Sequence, residues 1–183
     1  MALPRGDELM EMLSSPRLGR VEAIVQRLGN ERHARPAEGR LTRAEGLVGD
    51  RWAAFRPVPE RQLTLMDVRV VRALLAHRGT LGGAQVALFD HEELDLPGDN
   101  LVVDLATSLG VLPSGSRLGL GTAVIETNDV PHLGCKKFEA RFGAEALAWV
   151  NDPDHRGLRL RGLNATGVAD GIVKLHARCE VLP

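Results

Sequence analysis

Apolar residues recur along the chain in short runs separated by turn-forming clusters, the arrangement expected of a fold built from many short strands. Residues 20–26 alternate well enough between apolar and polar positions to predict a strand. A charged stretch holding Pro36, residues 29–39, predicts a loop. Residues 41–47 and 61–65 predict a second and a third strand, with a turn at Gly49-Asp50-Arg51 between them. Further runs at 86–89, 101–105, 117–120 and 122–127 are parted by turns at Pro97-Gly98-Asp99, Pro113-Ser114-Gly115 and Gly119/Gly121. Residues 158–183 predict two or three more strands around a turn at Asp170-Gly171.

Helical periodicity is confined to a few places. Asp67 is placed to cap a helix reaching residue 78, with Val71, Leu74 and Leu75 on one face and Gly79 as its stop. Residues 136–150 predict a second helix, because Phe138, Phe142, Ala146 and Trp149 repeat at four, four and three. Residues 7–13 predict a short helix ended by Ser14-Ser15-Pro16. Two substantial helices among many short strands predict a mostly β, α+β domain of barrel type. A dinucleotide-binding βαβ unit is disfavoured, since no Gly-x-Gly-x-x-Gly follows a strand and opens a helix, and no phosphate-binding Gly-Lys-Ser/Thr occurs.

At 183 residues the chain is expected to form one domain over residues 19–183, with residues 1–18 as an extension. Its net charge of -1 and aromatic content of 3% supply neither the stacking surface nor the positive field of a single-strand nucleic-acid binder. No run approaches the ~20 apolar residues that cross a bilayer, and residues 1–20 carry Arg5, Asp7, Glu8 and Glu11 where a signal peptide is apolar. A cytoplasmic protein with no membrane and no nucleic-acid partner is expected. In that reducing compartment Cys135 and Cys179 are expected to be free thiols.

The chemistry concentrates at Val130-Pro131-His132-Leu133-Gly134-Cys135-Lys136-Lys137-Phe138. Cys135 stands where the second helix begins. A helix N-terminus, Lys136 and Lys137 all favour thiolate over thiol, and His132 is placed to act as a proton acceptor or donor. The competing reading is a small buried hydrophobe, which suits Cys179 in its strand-like setting. His132-x-x-Cys135 and His176-x-x-Cys179 share one spacing, so a zinc site closed by His132, Cys135, His176 and Cys179 is an alternative, making the chain a non-catalytic structural or accessory module. Arg51, Arg61 and the arginines of 156–161 are suited to gripping phosphate if they converge on Cys135; taken singly they read as solvated strand ends. His33, His77, His91 and His155 read as solvated side chains.

These segments, in order, resemble the MOSC family, named for the C-terminal domain of molybdenum cofactor sulfurases. The resemblance covers residue 19 onward. Gly19-Arg20-Val21-Glu22-Ala23-Ile24 is similar to the opening strand of stand-alone bacterial members, and Gly46-Leu47-Val48-Gly49-Asp50-Arg51 to the family's G-D-R-H turn, with Trp52 in place of the His. Arg61-Gln62-Leu63-Thr64-Leu65, Gly98-Asp99-Asn100-Leu101-Val102-Val103 and Arg117-Leu118-Gly119-Leu120-Gly121-Thr122-Ala123-Val124-Ile125-Glu126 resemble three further segments. Arg161-Gly162-Leu163-Asn164-Ala165 resembles the closing strand, whereas His176-Ala177-Arg178-Cys179 replaces the usual terminal turn.

The resemblance implies a β-barrel that binds the molybdenum cofactor (molybdopterin), with Cys135 as metal ligand or sulfur carrier and His132 as its acid/base helper. The cofactor-binding side chains would be Arg51, Arg61, Asn100, Lys136 and Arg161. The activity implied is sulfur transfer, with a cysteine desulfurase as partner, or reduction of N-hydroxylated compounds, with a redox partner. No pyridoxal phosphate is expected, since the chain is too short to include the desulfurase domain of full-length sulfurases.

Overall fold

The computed structural model describes residues 1–14, 19–55, 58–81 and 92–183. Ser15, Pro16, the run at 86–89 and His91 lie outside the described residues. Within these, three α-helices and twelve strands follow one another: α1 (Gly6–Ser14), β1 (Val21–Ile24), β2 (Gln26–Gly29), β3 (Arg32–Ala34), β4 (Glu38–Thr42), β5 (Gly46–Leu47), β6 (Leu63–Asp67), α2 (Val68–Leu81), β7 (Leu101–Val103), β8 (Arg117–Leu120), β9 (Ala123–Thr127), α3 (Lys136–Asn151), β10 (Leu163–Ala169), β11 (Gly171–Lys174) and β12 (Cys179–Val181). Short 3-10 turns cover Arg51–Ala54, Pro59–Arg61 and Pro153–Leu158.

Seven strands form one sheet in the order β1-β7-β6-β10-β9-β8-β12, antiparallel except for the β6–β7 pair. Its two edges meet. Arg20 bridges Arg178, and backbone bonds from Cys179 N to Gly19 O (2.7 Å) and from His176 N to Val21 O (2.8 Å) all but close the sheet into a barrel. Closure of this kind removes the exposed strand edges that invite aggregation.

Alternation along the strands divides two cores. Leu63 and Leu65 of β6, Leu101 and Val103 of β7, Leu118 and Leu120 of β8, Ala123 and Ile125 of β9, and Leu163 and Ala165 of β10 fill the barrel interior. Leu41, Leu47 and Val173, from the small β11-β4-β5 sheet, join the same cluster. The intervening Met66 and Val102 face outward and meet Phe138, Phe142, Ala146 and Trp149 of α3, Val70, Val71 and Leu74 of α2, and Leu9 of α1. Full burial of a Phe or Leu in such a cluster contributes roughly 1.5–3 kcal/mol. Trp149 Nε1 donates to Pro4 O at 2.9 Å, which ties the N-terminal segment to this outer layer.

Several local expectations are corrected. Residues 29–39 are not a plain loop; they contain β3 and the start of β4, joined to β2 by a hairpin. Residues 41–47 are a hairpin of β4 and β5 rather than one strand, because Thr42 Oγ1 accepts the Glu45 amide (3.0 Å) and turns the chain. Gly79 does not stop α2, which runs to Leu81. Gly119 sits inside β8, and Gly121, at φ +63°, makes the turn with Thr122. The α3 helix is interrupted at Gly143 (φ 87°, ψ 167°), yet both halves turn their apolar residues to the same core. The Asp67 cap is present: Oδ1 accepts the Arg69 amide at 3.0 Å.

Candidate functional site

The segment carrying Cys135 leaves the barrel at the end of β9. Asn128 turns it outward, its Oδ1 accepting the Val130 amide (3.1 Å) and its Nδ2 donating to Glu60 O (2.7 Å). Asn164 Nδ2 on β10 then holds Val130 O at 2.9 Å. Asn151, at the far end of α3, clamps Gly134 twice: Gly134 N donates to Oδ1 (2.8 Å) and Nδ2 donates to Gly134 O (3.1 Å). A Cβ at Gly134 would stand 2.7 Å from Leu147 Cδ1, so glycine permits this close approach.

Cys135 is thereby set at the N-cap of α3 in extended conformation (φ -124°, ψ -179°), exposed, with its carbonyl starting the helix through Glu139 N (2.9 Å). Partial burial pushes its thiol pKa up, but the backbone amides of Phe138 and Lys137, with the charges of Arg161 and Arg141, outweigh this and hold it below the ordinary thiol value. Cys179 is the opposite case. It lies in the barrel interior, and burial pushes its thiol up to about 12. Both cysteines are free, and only Cys135 is equipped to react.

The cleft at Cys135, about 180 Å³, is lined on the barrel side by Arg51, Pro97 and Gly98, and by His132 and Arg161. The β2–β3 hairpin adds Arg27, Glu31, Arg32 and His33, and α3 adds Lys137, Phe138 and Arg141. Beneath it lies a buried charge network. Asp99, wholly buried, accepts from His132 Nε2 at 2.8 Å and from Arg161 Nη1 at 2.5 Å. Burial alone would raise the Asp99 pKa, but Arg161 and His132 hold it well below the usual carboxylate range. His132 is lowered by burial and by Arg161, against the pull of Asp99, so the imidazole is neutral. An ionised Asp99 can only accept, which puts the His132 proton on Nε2 and leaves Nδ1 as an acceptor.

Arg161 is the brace of this arrangement. Its guanidinium lies 5.0 Å over the Phe138 ring, Nη2 donates to Pro97 O (3.3 Å), and Nε has no hydrogen-bond partner among the described residues. Gly162 follows it at φ +92°, where a Cβ would stand 2.0 Å from Leu65 O. His132, Leu133 and Arg161 also line a second cleft of about 320 Å³ on their other side, with Asn128, Asp129, His155, Arg156 and Arg159.

Of the expected site residues, Cys135, His132, Arg51 and Arg161 are brought together. Lys136 is exposed and does not line the cleft; its neighbour Lys137 does. Arg61 is exposed in the 3-10 turn before β6 and is also absent from the lining. Asn100 is wholly buried: Nδ2 donates to Asp50 Oδ2 (3.0 Å) and Val25 O (3.3 Å), and Oδ1 accepts the Thr64 amide (3.2 Å). Asp50 in turn holds Arg27 through Nη2 (2.8 Å) and Nε (2.9 Å), so Asn100 acts on the cleft at two removes.

Arg27, Arg32, His33, Asp99 and Arg141 were missed as site residues. For Arg141 a signal existed, since it follows Lys137 by one helical turn on the same face. The four zinc candidates are not assembled: Cys179 is inside the barrel, His176 is exposed beyond β11, and His132 is committed to Asp99. Among the described residues no group of three or more His, Cys, Asp or Glu is placed to hold a metal ion, and no helix is long and apolar enough to cross a membrane.

No family model matches the chain, and no curated protein matches it in sequence. Solved structures do resemble it. YiiM from Escherichia coli matches with a TM-score of 0.56 at 21% identity, over 90% of this chain and 70% of its own. The YuaD protein of Bacillus subtilis matches at 0.60 and 14% identity, over 88% of this chain and 94% of its own. YiiM from Geobacillus stearothermophilus gives 0.57 and 11%, over 92% and 76%. At these identities the likeness shows the fold, a MOSC-type barrel of mixed α+β class.

Proposed function

We propose that this chain binds the molybdenum cofactor at the Cys135 cleft, with Cys135 as thiolate ligand to the metal. The observation that carries this reading is the meeting of an exposed, thiolate-favouring cysteine with an excess of cationic side chains, on a MOSC-type barrel. The residues present suit such a group: a soft sulfur donor for the metal, and Arg51, Lys137 and Arg141 for an anionic phosphate. At about 180 Å³ the cleft accommodates one end of an organic cofactor, with the remainder reaching over its lip.

When bound, the cofactor would supply two-electron redox chemistry. The chain's own residues would bind and orient. Cys135 fixes the metal end, Arg161 keeps positive charge beside the thiolate, and Asp99 holds His132 in the tautomer whose Nδ1 can take up or return a proton. Reduction of an N-hydroxylated compound to the amine and water consumes two electrons and two protons; a redox partner protein would deliver the electrons, and His132, in the lining of the cleft, is suited to relay a proton.

A second reading uses the same thiolate as a sulfur carrier. Cys135 would attack the terminal sulfur of a cysteine desulfurase persulfide, forming its own persulfide and releasing the partner's thiolate. Mass spectrometry after incubation with a desulfurase and cysteine should then show one added sulfur on Cys135, and an unchanged mass excludes this role.

The cofactor reading is tested by purifying the protein from a host that makes the cofactor and measuring molybdenum and pterin. Wild type should retain both, and Cys135→Ser neither. Equal retention by the two proteins refutes the assignment.

A further inference from the structure

The tip of the β2–β3 hairpin sends a carboxylate into the cationic cleft. Glu31 accepts from Lys137 Nζ on one oxygen (2.6 Å) and from Arg141 Nη2 on the other. Its backbone is in the left-handed region (φ +58°), as is that of Asn30 (φ +50°), directly after Gly29 at φ +85°. Asparagine tolerates that region; glutamate has no local hydrogen bond to compensate for it. The unusual turn delivers Glu31, still half-exposed, to two cations.

Lys137 and Arg141 are four apart on α3 and so share one face. Arg141 is already fixed, its Nη1 donating to Leu96 O (3.0 Å) across Gly98, where a Cβ would stand 3.0 Å from that nitrogen. The other charged side chains of the lining are cationic. Arg27 and Arg161 are offset by Asp50 and Asp99, while Arg32 and Arg51 form no ion pair among the described residues. With Glu31 moved aside, Arg32, Arg51, Lys137 and Arg141 would face the cleft against no carboxylate in its lining.

We propose that Lys137 and Arg141 form a subsite for a phosphate monoester dianion, and that Glu31 is its internal occupant, which an incoming phosphate displaces. Each Glu31 oxygen holds the place of one phosphate oxygen. A dianion suits a lining with four uncompensated cations better than a single carboxylate does, and it has a third oxygen for Arg32 or Arg51. Displacement is undemanding, because Glu31 is half-exposed at a hairpin tip and gives up contacts that water can replace. Its pKa is lowered to about 2, chiefly by the hydrogen bonds from Lys137 and Arg141, so it competes as an anion throughout the neutral range. This assignment rests on reading the cleft as a site for a phosphorylated ligand and is independent of the metal.

The test is titration with inorganic phosphate by calorimetry at constant ionic strength near neutral pH. Glu31→Gln should bind phosphate about three- to tenfold more tightly than wild type, and Lys137→Gln and Arg141→Gln about tenfold less tightly. Should Arg141→Gln fail to fold, exposed Lys137→Gln carries the second arm. Phosphate affinity unchanged or weakened in Glu31→Gln overturns the proposal, as does the absence of binding in that variant or full affinity in Lys137→Gln. Failure of the cofactor reading would instead appear as wild-type protein devoid of molybdenum, a measurement separate from the phosphate titration.

Discussion

Asp99, wholly buried, accepts a 2.8 Å hydrogen bond from His132, a residue 33 positions later on the segment that delivers Cys135. The same carboxylate neutralises Arg161, so one buried anion sets the His132 tautomer and retains a cation beside the thiol. Asp99→Asn removes the counter-charge and leaves Arg161 buried and unpaired. The expected loss is about 3–5 kcal/mol, read as a shift of the urea midpoint. A loss under ~1 kcal/mol would show that the network is far better solvated than the structure has it.

The pH dependence follows from the two depressed pKa values. Native His132 resists protonation, whereas the unfolded chain takes up a proton near pH 6.5, so stability falls as pH drops below about 6.5. Native Asp99 also stays ionised while the unfolded carboxylate titrates near 3.9, so its contribution is present above that pH and is lost below it. Denaturation at a series of pH values should show the first loss in wild type and not in His132→Gln, with the acid loss retained in both. An unaltered profile in His132→Gln would contradict the neutral imidazole.

The two thiols should separate in alkylation. Near neutral pH iodoacetamide should modify Cys135 and spare Cys179 in the folded protein, since one pKa is below the ordinary value and the other is pushed up to about 12. The rate-versus-pH midpoint at Cys135 should lie below that of free cysteine and rise in Arg141→Gln, which removes one of its nearby positive charges. Peptide mapping after quenching at each pH reads both sites together.

Asn151 is expected to position the thiol without touching a ligand. Asn151→Ala breaks both bonds to Gly134, at about 1–3 kcal/mol if the freed backbone groups stay dry. The Cys135 alkylation midpoint should move upward, because the thiol loses its register with the helix amides. Gly162→Ala is the sterner change, combining φ +92° with a 2.0 Å approach to Leu65 O, and is expected to unfold the site around Arg161. A thermal melt with thiol titration distinguishes the two effects.

The barrel strands were legible because alternation puts Leu63 and Leu65 on one face and Met66 on the other, a pattern that local reading captures. The helix from Lys136 was equally plain from Phe138, Phe142, Ala146 and Trp149. The β2–β3 hairpin was not, since Arg32, His33 and Ala34 carry no apolar alternation and are held by pairing with Gln26 and Arg27. Cys135 and His132 could be chosen from their neighbours in sequence. Asp99 and Arg27 could not, because their roles depend on partners tens of residues away. Asn100 shows the converse: a conspicuous polar residue in a motif-like stretch whose amide is consumed in bracing Asp50.

X-ray absorption at the molybdenum edge, on protein purified with the cofactor and on the free cofactor, tests the proposed bond between Cys135 and the metal. One additional sulfur neighbour in the protein sample is expected, and an unchanged sulfur count in protein that retains the metal would contradict the assignment of Cys135 as its ligand.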